Sequence, residues 1–452
     1  MTKAQEVKPW MYVLTVGLGV LLNPLNSSMI AVALTDLQRE YHLTFADATW
    51  LISAFYIASA AAQPVMGKFS DMFGHKRLFI TGLIIVALSS ALAPFSPNYW
   101  ALVGFRALQA VGSSTLFPSG MAVIRSEITQ GQAQALSAVA VFSSVSAAFG
   151  PSIGGFLVGT WNWEAIFLVN LPLIILGVVL ALVILPGGRE VNVKLKRIDF
   201  SGIALFCVFI VTFILFLLSL GESIRWWAVP VFMVALAAFG YVEKKREEPF
   251  IDLVALKSNT KVTLVYLQFL VINIVFYCIF FGIPTFLQQV SHYSESKTGV
   301  IMLAVAGFGV VLAPLAGYWI DRAGSKPPLI LGSFFMLVGM AGMLTIHEGT
   351  ALGWLVVVLS FLGVSNGLNN ISMQTALYDF VTPEETGTAS GLFQTSRYLG
   401  AIFSSTLLGL LLDKHMDVLH LHYVVMVCAV LSVVITILSW RLPSKKQACL
   451  EH

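Results

Sequence analysis

Between residues 11 and 440 the chain is a succession of apolar runs, each long enough to cross a bilayer and separated from the next by a short polar stretch. A membrane helix needs about 20 residues. On that rule fourteen spans fall near 11–34, 46–66, 77–95, 99–124, 132–160, 164–185, 199–220, 226–243, 261–289, 296–320, 327–346, 351–379, 385–412 and 419–440. Hydrophobic residues make up 57% of the chain and charged ones 11%, with a mean hydropathy of +0.85, so no water-soluble fold could hide this much apolar surface. The expected class is an all-α integral membrane protein. The run at 11–34 is too long for a signal-peptide core and reads as a retained first span.

Charge orients these spans. Most of the 26 Lys and Arg fall in the N-terminus, the C-terminal tail and the loops after even-numbered spans, Arg189, Lys194, Lys196, Arg197, Lys244, Lys245 and Arg246 among them. The opposite loops hold Arg39, Arg225, Lys297 and Lys414, so both termini are expected in the cytoplasm of a cell whose plasma membrane the chain crosses. A net charge of +3 is too small to suggest a nucleic-acid partner. Cys207, Cys278 and Cys428 sit singly in apolar runs, with Cys449 in the tail, and read as small core residues. His415, His420 and His422 have a spacing that could hold a metal, but a solvated outer loop is the plainer reading. No metal, cofactor or ATP-binding loop is expected.

One short stretch occurs twice. Gly67-Lys-Phe-Ser-Asp71-Met-Phe-Gly74-His75-Lys76-Arg77 lies between the second and third spans, and Gly317-Tyr-Trp-Ile-Asp321-Arg322-Ala-Gly324-Ser-Lys326 lies between the tenth and eleventh. In each, a first Gly permits close helix approach and a second permits a tight turn. The Asp either caps the next helix or pairs with a cation on a neighbouring one, while the basic residues stay at the headgroups. One copy alone would be an ordinary basic loop; two in matching places suggest a conformational latch. Aligning Asp71 with Asp321 divides the chain into a six-helix bundle at 1–190, an inserted two-helix hairpin at 191–258 and a second six-helix bundle at 259–452. Such repeats describe a transporter that opens to alternate sides.

At this point the sequence resembles the major facilitator superfamily, and within it the fourteen-span drug:proton antiporter branch, over essentially its whole length. The 67–77 stretch looks like the family's loop signature, Arg106-Ala-Leu-Gln109-Ala-Val-Gly112 like its fourth-span signature, and Ala147-Ala-Phe-Gly150-Pro151-Ser-Ile-Gly154-Gly155 like the fifth-span signature of exporters. Residues 161–172 resemble the approach to span 6. The resemblance implies the major facilitator fold and a proton-coupled exporter of small amphipathic or hydrophobic compounds, working as a monomer in the lipid bilayer and forming no covalent bond.

Individual residues carry this expectation unevenly. Arg106 sits inside a span, where a cation costs about 3 kcal/mol to insert, so it should face protein or a wet cavity. Gln109 and Ser113 share its helix face. The resemblance makes Arg106 and Gln109 a proton relay or a contact for an anionic group; a structural arginine bonded to backbone carbonyls is the alternative. Gly150, Pro151, Gly154 and Gly155 make a bent helix, bare on one side, suited to a hinge. Asn23, Ser27, Gln268, Asn273, Asn366, Asn369, Asn370, Gln374, Gln394 and Arg397 are candidates for substrate contact or for hydrogen bonds between helices. The branch usually carries an Asp where this chain has Asn26. That leaves Asp71, Asp36, a proton travelling with the substrate, or no proton at all to couple transport, and gives weight to a specific solute permease of the same fold. A non-transporting membrane sensor is the remaining alternative.

Overall fold

The computed structural model describes residues 7–187, 198–221, 223–412 and 417–442. Arg189, Lys194, Lys196, Arg197, Glu222, Asp413, Lys414, His415 and Cys449 lie outside the described residues. The described residues are helical, and strands are absent among them. The long helices are α1 (Pro9–Val20), α2 (Leu22–Glu40), α3 (Trp50–Phe73), α4 (His75–Leu92), α5 (Tyr99–Glu127), α6 (Gln132–Trp161), α7 (Asn170–Ile184), α8 (Phe200–Ser219), α9 (Ala228–Lys245), α10 (Thr260–Gln289), α11 (Glu295–Ala323), α12 (Lys326–Met343), α13 (Leu352–Phe380), α14 (Thr386–Leu412) and α15 (Val418–Arg441). α1 and α2 run on as a single span, Pro9–Glu40.

Eleven helices among the described residues are long and apolar enough to cross a membrane. α3, α9 and α14 coincide with the other three expected spans but are more polar: α9 ends in Glu243, Lys244 and Lys245, and α14 opens with Thr386, Thr388, Ser390, Gln394 and Arg397 in its first half. Tryptophans at 10, 100, 161, 226, 227 and 440 stay exposed near helix ends, as rings seated at a membrane interface do.

The chain forms two compact units. The first holds residues 1–203 together with 382–395, and the second holds 204–381 with 396–452. In the first, α4 packs on α5, α3 on α5, α2 and α1 on α6, and α7 on α4 and α1. The second unit repeats this pattern: α12 packs on α13, α11 on α13, and α15 on α12 and α10. Numbered by span, the third element of each unit meets the fourth and sixth, and the second meets the fourth. Small residues permit these approaches. A Cβ on Gly82 would stand 2.7 Å from the Gly112 carbonyl oxygen, and one on Gly363 would stand 2.5 Å from that of Val305. Around α8 and α9 an aromatic seam forms within the second unit, where Phe213 meets Phe232 at 5.4 Å and Phe403 of α14 at 5.9 Å.

Candidate functional site

The first candidate site grows from one face of α5. Arg106 is 1% exposed; its Nη1 donates to Gln109 Oε1 at 2.5 Å, and Gln109 Nε2 donates to Ser90 Oγ of α4 at 2.8 Å. One turn on, Ser113 Oγ accepts from Asn23 Nδ2 of α2 at 3.1 Å. The guanidinium carbon lies 4.5 Å from the centre of the Phe55 ring, so a π face offsets part of the cost of burying the cation. Nε and Nη2 have no hydrogen-bond partner among the described residues. Helical spacing thus places Arg106, Gln109 and Ser113 together, as the sequence suggests. The structure attaches the arginine to a glutamine of its own helix and not to backbone carbonyls.

Asn26 is 3% exposed and lies elsewhere in this unit's interior. Its Oδ1 accepts from Asn170 Nδ2 of α7 at 2.7 Å, an amide pair joining the first span to the sixth. Asp36, the other acid considered for coupling, stands 3.9 Å from Arg39 in an exposed pair of little energetic weight.

Asp71 has a partner that no local pattern suggests. It caps neither α4, the next helix, nor a cation: its carboxylate accepts from Gly387 N at 2.8 Å, Thr388 N at 2.7 Å and Thr388 Oγ1 at 2.6 Å, at the first turn of α14. Free N–H groups at a helix N-terminus suit a carboxylate. Below this contact a seam of small residues runs along α3 and α14. Thr395 Oγ1 donates to the Ala60 carbonyl at 3.0 Å, and a Cβ on Gly391 would stand 2.3 Å from the Gln63 carbonyl oxygen. Another on Gly67 would stand 2.2 Å from that of Gly387. Arg125 adds bonds to the Thr382 carbonyl at 3.0 Å and to Thr386 Oγ1 at 2.8 Å. Gly67→Ala is therefore expected to push the head of α14 off α3 and cost about 1–3 kcal/mol, the range for overpacking. Faster amide exchange at Gly387 and Thr388 would register it; exchange at the wild-type rate would show that the helices can move apart freely.

The two copies of the loop share one backbone turn. Gly74 and Gly324 adopt φ of +97° and +82°, and each N–H bonds the carbonyl four residues back, on Ser70 and Ile320. Both glycines serve a left-handed conformation that closes one helix and starts the next. Asp321 is exposed, and Arg322 lies 4.0 Å from the Tyr318 ring. Gly317 is buried in α11.

Arg77 is exposed at the start of α4, as a headgroup residue would be, but Lys76 is not simply a headgroup residue. Its Nζ donates to the carbonyls of Leu182 and Leu185 at 2.7 Å each, capping the C-terminus of α7. Lys76→Met is expected to cost about 1 kcal/mol. That would appear as a lower thermal midpoint in detergent, and an unchanged midpoint would mean that water serves those carbonyls equally well.

The remaining candidates divide by what they touch. A Cβ on Gly150 would collide with Ser28 Oγ at 1.7 Å, and one on Gly154 would lie 3.1 Å from Met29 Cα, so α6 presses against α2 there. Pro151 sits inside α6, and Gly155 has only Val32 at 3.8 Å. In the second unit Arg397 Nη2 donates to Asn370 Oδ1 at 3.1 Å, and Asn370 Nδ2 donates to Asn366 Oδ1 at 2.8 Å. Gln268 Nε2 bonds Ser439 Oγ at 2.7 Å, an interhelical bond between α10 and α15 that continues to Ser333. Asn273 Nδ2 returns to its own helix at Phe269, with Gly400 packed on its Cβ. Gln394 is buried and belongs to the first unit, and its Oε1 has no partner among the described residues.

Three features escape sequence reasoning. Gly387 and Gly391 carry a legible signal, a Gly-x-x-x-Gly spacing. Ser90 has none. Cys278 and Cys428, single in their own runs, are both buried on α10 and α15, two helices that pack on each other.

A family model described as Major Facilitator Superfamily matches residues 16–405, and the chain belongs to that family. It is 42% identical over 417 residues to the uncharacterized MFS-type transporter YwoD of Bacillus subtilis (strain 168), covering 90% of this chain and 91% of that one. It is 30% identical over 428 residues to the Tetracenomycin C resistance and export protein of Streptomyces glaucescens, covering 90% and 76%. Among solved structures, the human organic anion transporter MFSD10 superposes with a TM-score of 0.70 at 16% identity, covering 96% of this chain and 99% of that one; a likeness at that identity shows the fold alone. The protein is therefore a multi-pass membrane transporter of all-helical fold.

Proposed function

We propose that this member of the Major Facilitator Superfamily exports small amphipathic or hydrophobic compounds across the plasma membrane, driven by the proton-motive force. In this reading it has fourteen spans and cytoplasmic termini, works as a monomer, and alternates access between bundles 1–190 and 259–452 with 191–258 inserted. The observation that carries the reading is the chain Arg106–Gln109–Ser90, a buried polar group inside spans with donors left for a passenger. Its similarity to a protein named for antibiotic resistance and export supports the direction. Asp71 on the head of α14 is the latch, Gly150 to Gly155 the hinge, and the Arg397–Asn370–Asn366 chain a second polar contact for substrate.

Expression in a sensitive host against a panel of antibiotics and dyes tests the reading. Raised tolerance to several amphipathic compounds supports it, and unchanged tolerance to all of them at normal expression counts against it. A specific solute permease is the second reading, favoured because Asn26 pairs with Asn170 and offers no titrating group. Proteoliposomes separate the two. Substrate added outside makes the lumen more alkaline through a proton antiporter and more acidic through a symporter.

A further inference from the structure

We infer that the transported compounds are amphipathic organic acids, and that the Nε/Nη2 edge of Arg106 receives their oxyanion group. The inference rests on the export reading and names its substrate class. Arg106 is 1% exposed and uses Nη1 on Gln109 Oε1. What is left is the side-on edge of the guanidinium, where Nε–H and one Nη2–H point the same way and neither meets an acceptor among the described residues. That edge matches the two oxygens of a carboxylate, or of a sulfonate or phosphate, in paired hydrogen bonds. Arginine keeps its charge at any physiological pH, so burial leaves a cation in need of an anion.

Among the described residues no carboxylate pairs with Arg106. Along the long helices every described Asp and Glu lies close to a helix end, and the other polar groups on this face, Gln109, Ser90, Ser113 and Asn23, are neutral. Tyr56 is the titratable neighbour of the guanidinium, and Phe55 covers one of its faces. A flat apolar body joined to an acid would extend the contact that Phe55 begins. Arg397 in the second unit likewise bonds a neutral amide, Asn370, which leads on to Asn366, and its Nε has no partner among the described residues. Export of an anion also follows the inside-negative potential, which favours it about fiftyfold per 100 mV for each charge. Coupling then needs no carboxyl group inside the spans.

The test presents one apolar scaffold in three charge states to the purified full-length protein: 1-naphthylacetate, 1-naphthylacetamide and 2-(1-naphthyl)ethylammonium, with inorganic phosphate as a fourth arm. Thermal midpoints in detergent report binding. Radiolabelled flux in proteoliposomes, with the potential set by a potassium gradient and valinomycin, reports transport. The carboxylate is expected to raise the midpoint at concentrations at least tenfold below those at which the amide, the amine or phosphate does so, and its flux should reverse with the sign of the potential. Arg106→Gln should weaken the carboxylate response by roughly ten- to a hundredfold. Arg106→Lys, which keeps the buried charge and loses the fork, should fall between. An equal response to the amide or amine, a carboxylate response unchanged in Arg106→Gln, or no carboxylate response overturns the inference; an equal response to phosphate assigns the edge to an inorganic anion and also overturns it. If the amine is carried and the carboxylate is not, export stands and the substrate class falls. If none of these compounds moves and expression protects cells against no member of the toxic panel, the export reading falls and takes the inference with it.

Discussion

Arg106→Ala is expected to bring transport down to the level of empty vesicles, a loss of at least about a hundredfold, while the protein still purifies as a folded species. The two effects separate because they draw on different groups. Removing the side chain relieves a cation whose placement inside a membrane costs about 3 kcal/mol. It also leaves Gln109 Oε1 without its donor, at a cost of about 1–3 kcal/mol, and opens space beside Phe55. These terms nearly offset one another in stability. Nothing offsets the loss for a passenger that needs the Nε/Nη2 edge. Arg106→Lys should retain a few per cent of activity, since an ammonium can reach Gln109 but offers no planar pair of donors. Full activity in the lysine variant would show that charge alone matters, and flux in the alanine variant would remove Arg106 from the transport path.

Asp71→Asn should slow turnover by about tenfold and leave the fold intact. The carboxylate accepts three bonds from Gly387 and Thr388, two of them from backbone N–H groups at a helix start. A carboxyl keeps an oxygen toward both backbone donors in either protonation state, its O–H when present turning to the Thr388 hydroxyl, whereas an amide would aim its own N–H at one of these donors. The loss is about 1–2 kcal/mol in the conformation that makes the contact, and 1.4 kcal/mol is a factor of ten. Flux unchanged at equal expression would mean that the contact does not form and break in the cycle.

The same contact carries a pH dependence. Burial pushes Asp71 up to about 7, against the downward pull of the Thr388 hydroxyl and N–H, the Gly387 N–H and Lys68. The engaged carboxyl therefore holds its proton more tightly than a released, solvated one near 3.8. Engagement is strongest below that lower value, weakens as pH rises through the interval up to about 7, and changes no further above it. Amide exchange at Gly387 and Thr388, corrected for its intrinsic pH dependence, should show this trend in the wild type. In Asp71→Asn the trend should vanish.

Much of the site was readable before any coordinates, where the signal is local. Arg106, Gln109 and Ser113 sit three and four residues apart, and helical geometry alone puts them on one face. The glycines of the repeated loop announce a turn, and Gly74 and Gly324 make the same one at positive φ. Other expectations stopped at the helix surface. Lys76 carries the charge of a headgroup residue, yet its two bonds go to α7 carbonyls more than a hundred residues away. Gln268 reads as equally suited to a substrate or a neighbouring helix, and Ser439 of α15 is what its amide meets.

Sequence by itself determined that the chain is a bundle of membrane helices built from a repeated half, because helix length, hydropathy and a twice-used turn are written along the backbone and need no partner. Only the tertiary structure decided that Asp71 holds the head of α14, 316 residues on, and that Arg106 spends one nitrogen on Gln109 and keeps a paired edge uncommitted. Hydrogen bonds between helices are set by which faces the packing turns toward each other. A side chain's spare donors can be counted only once every neighbour is in place.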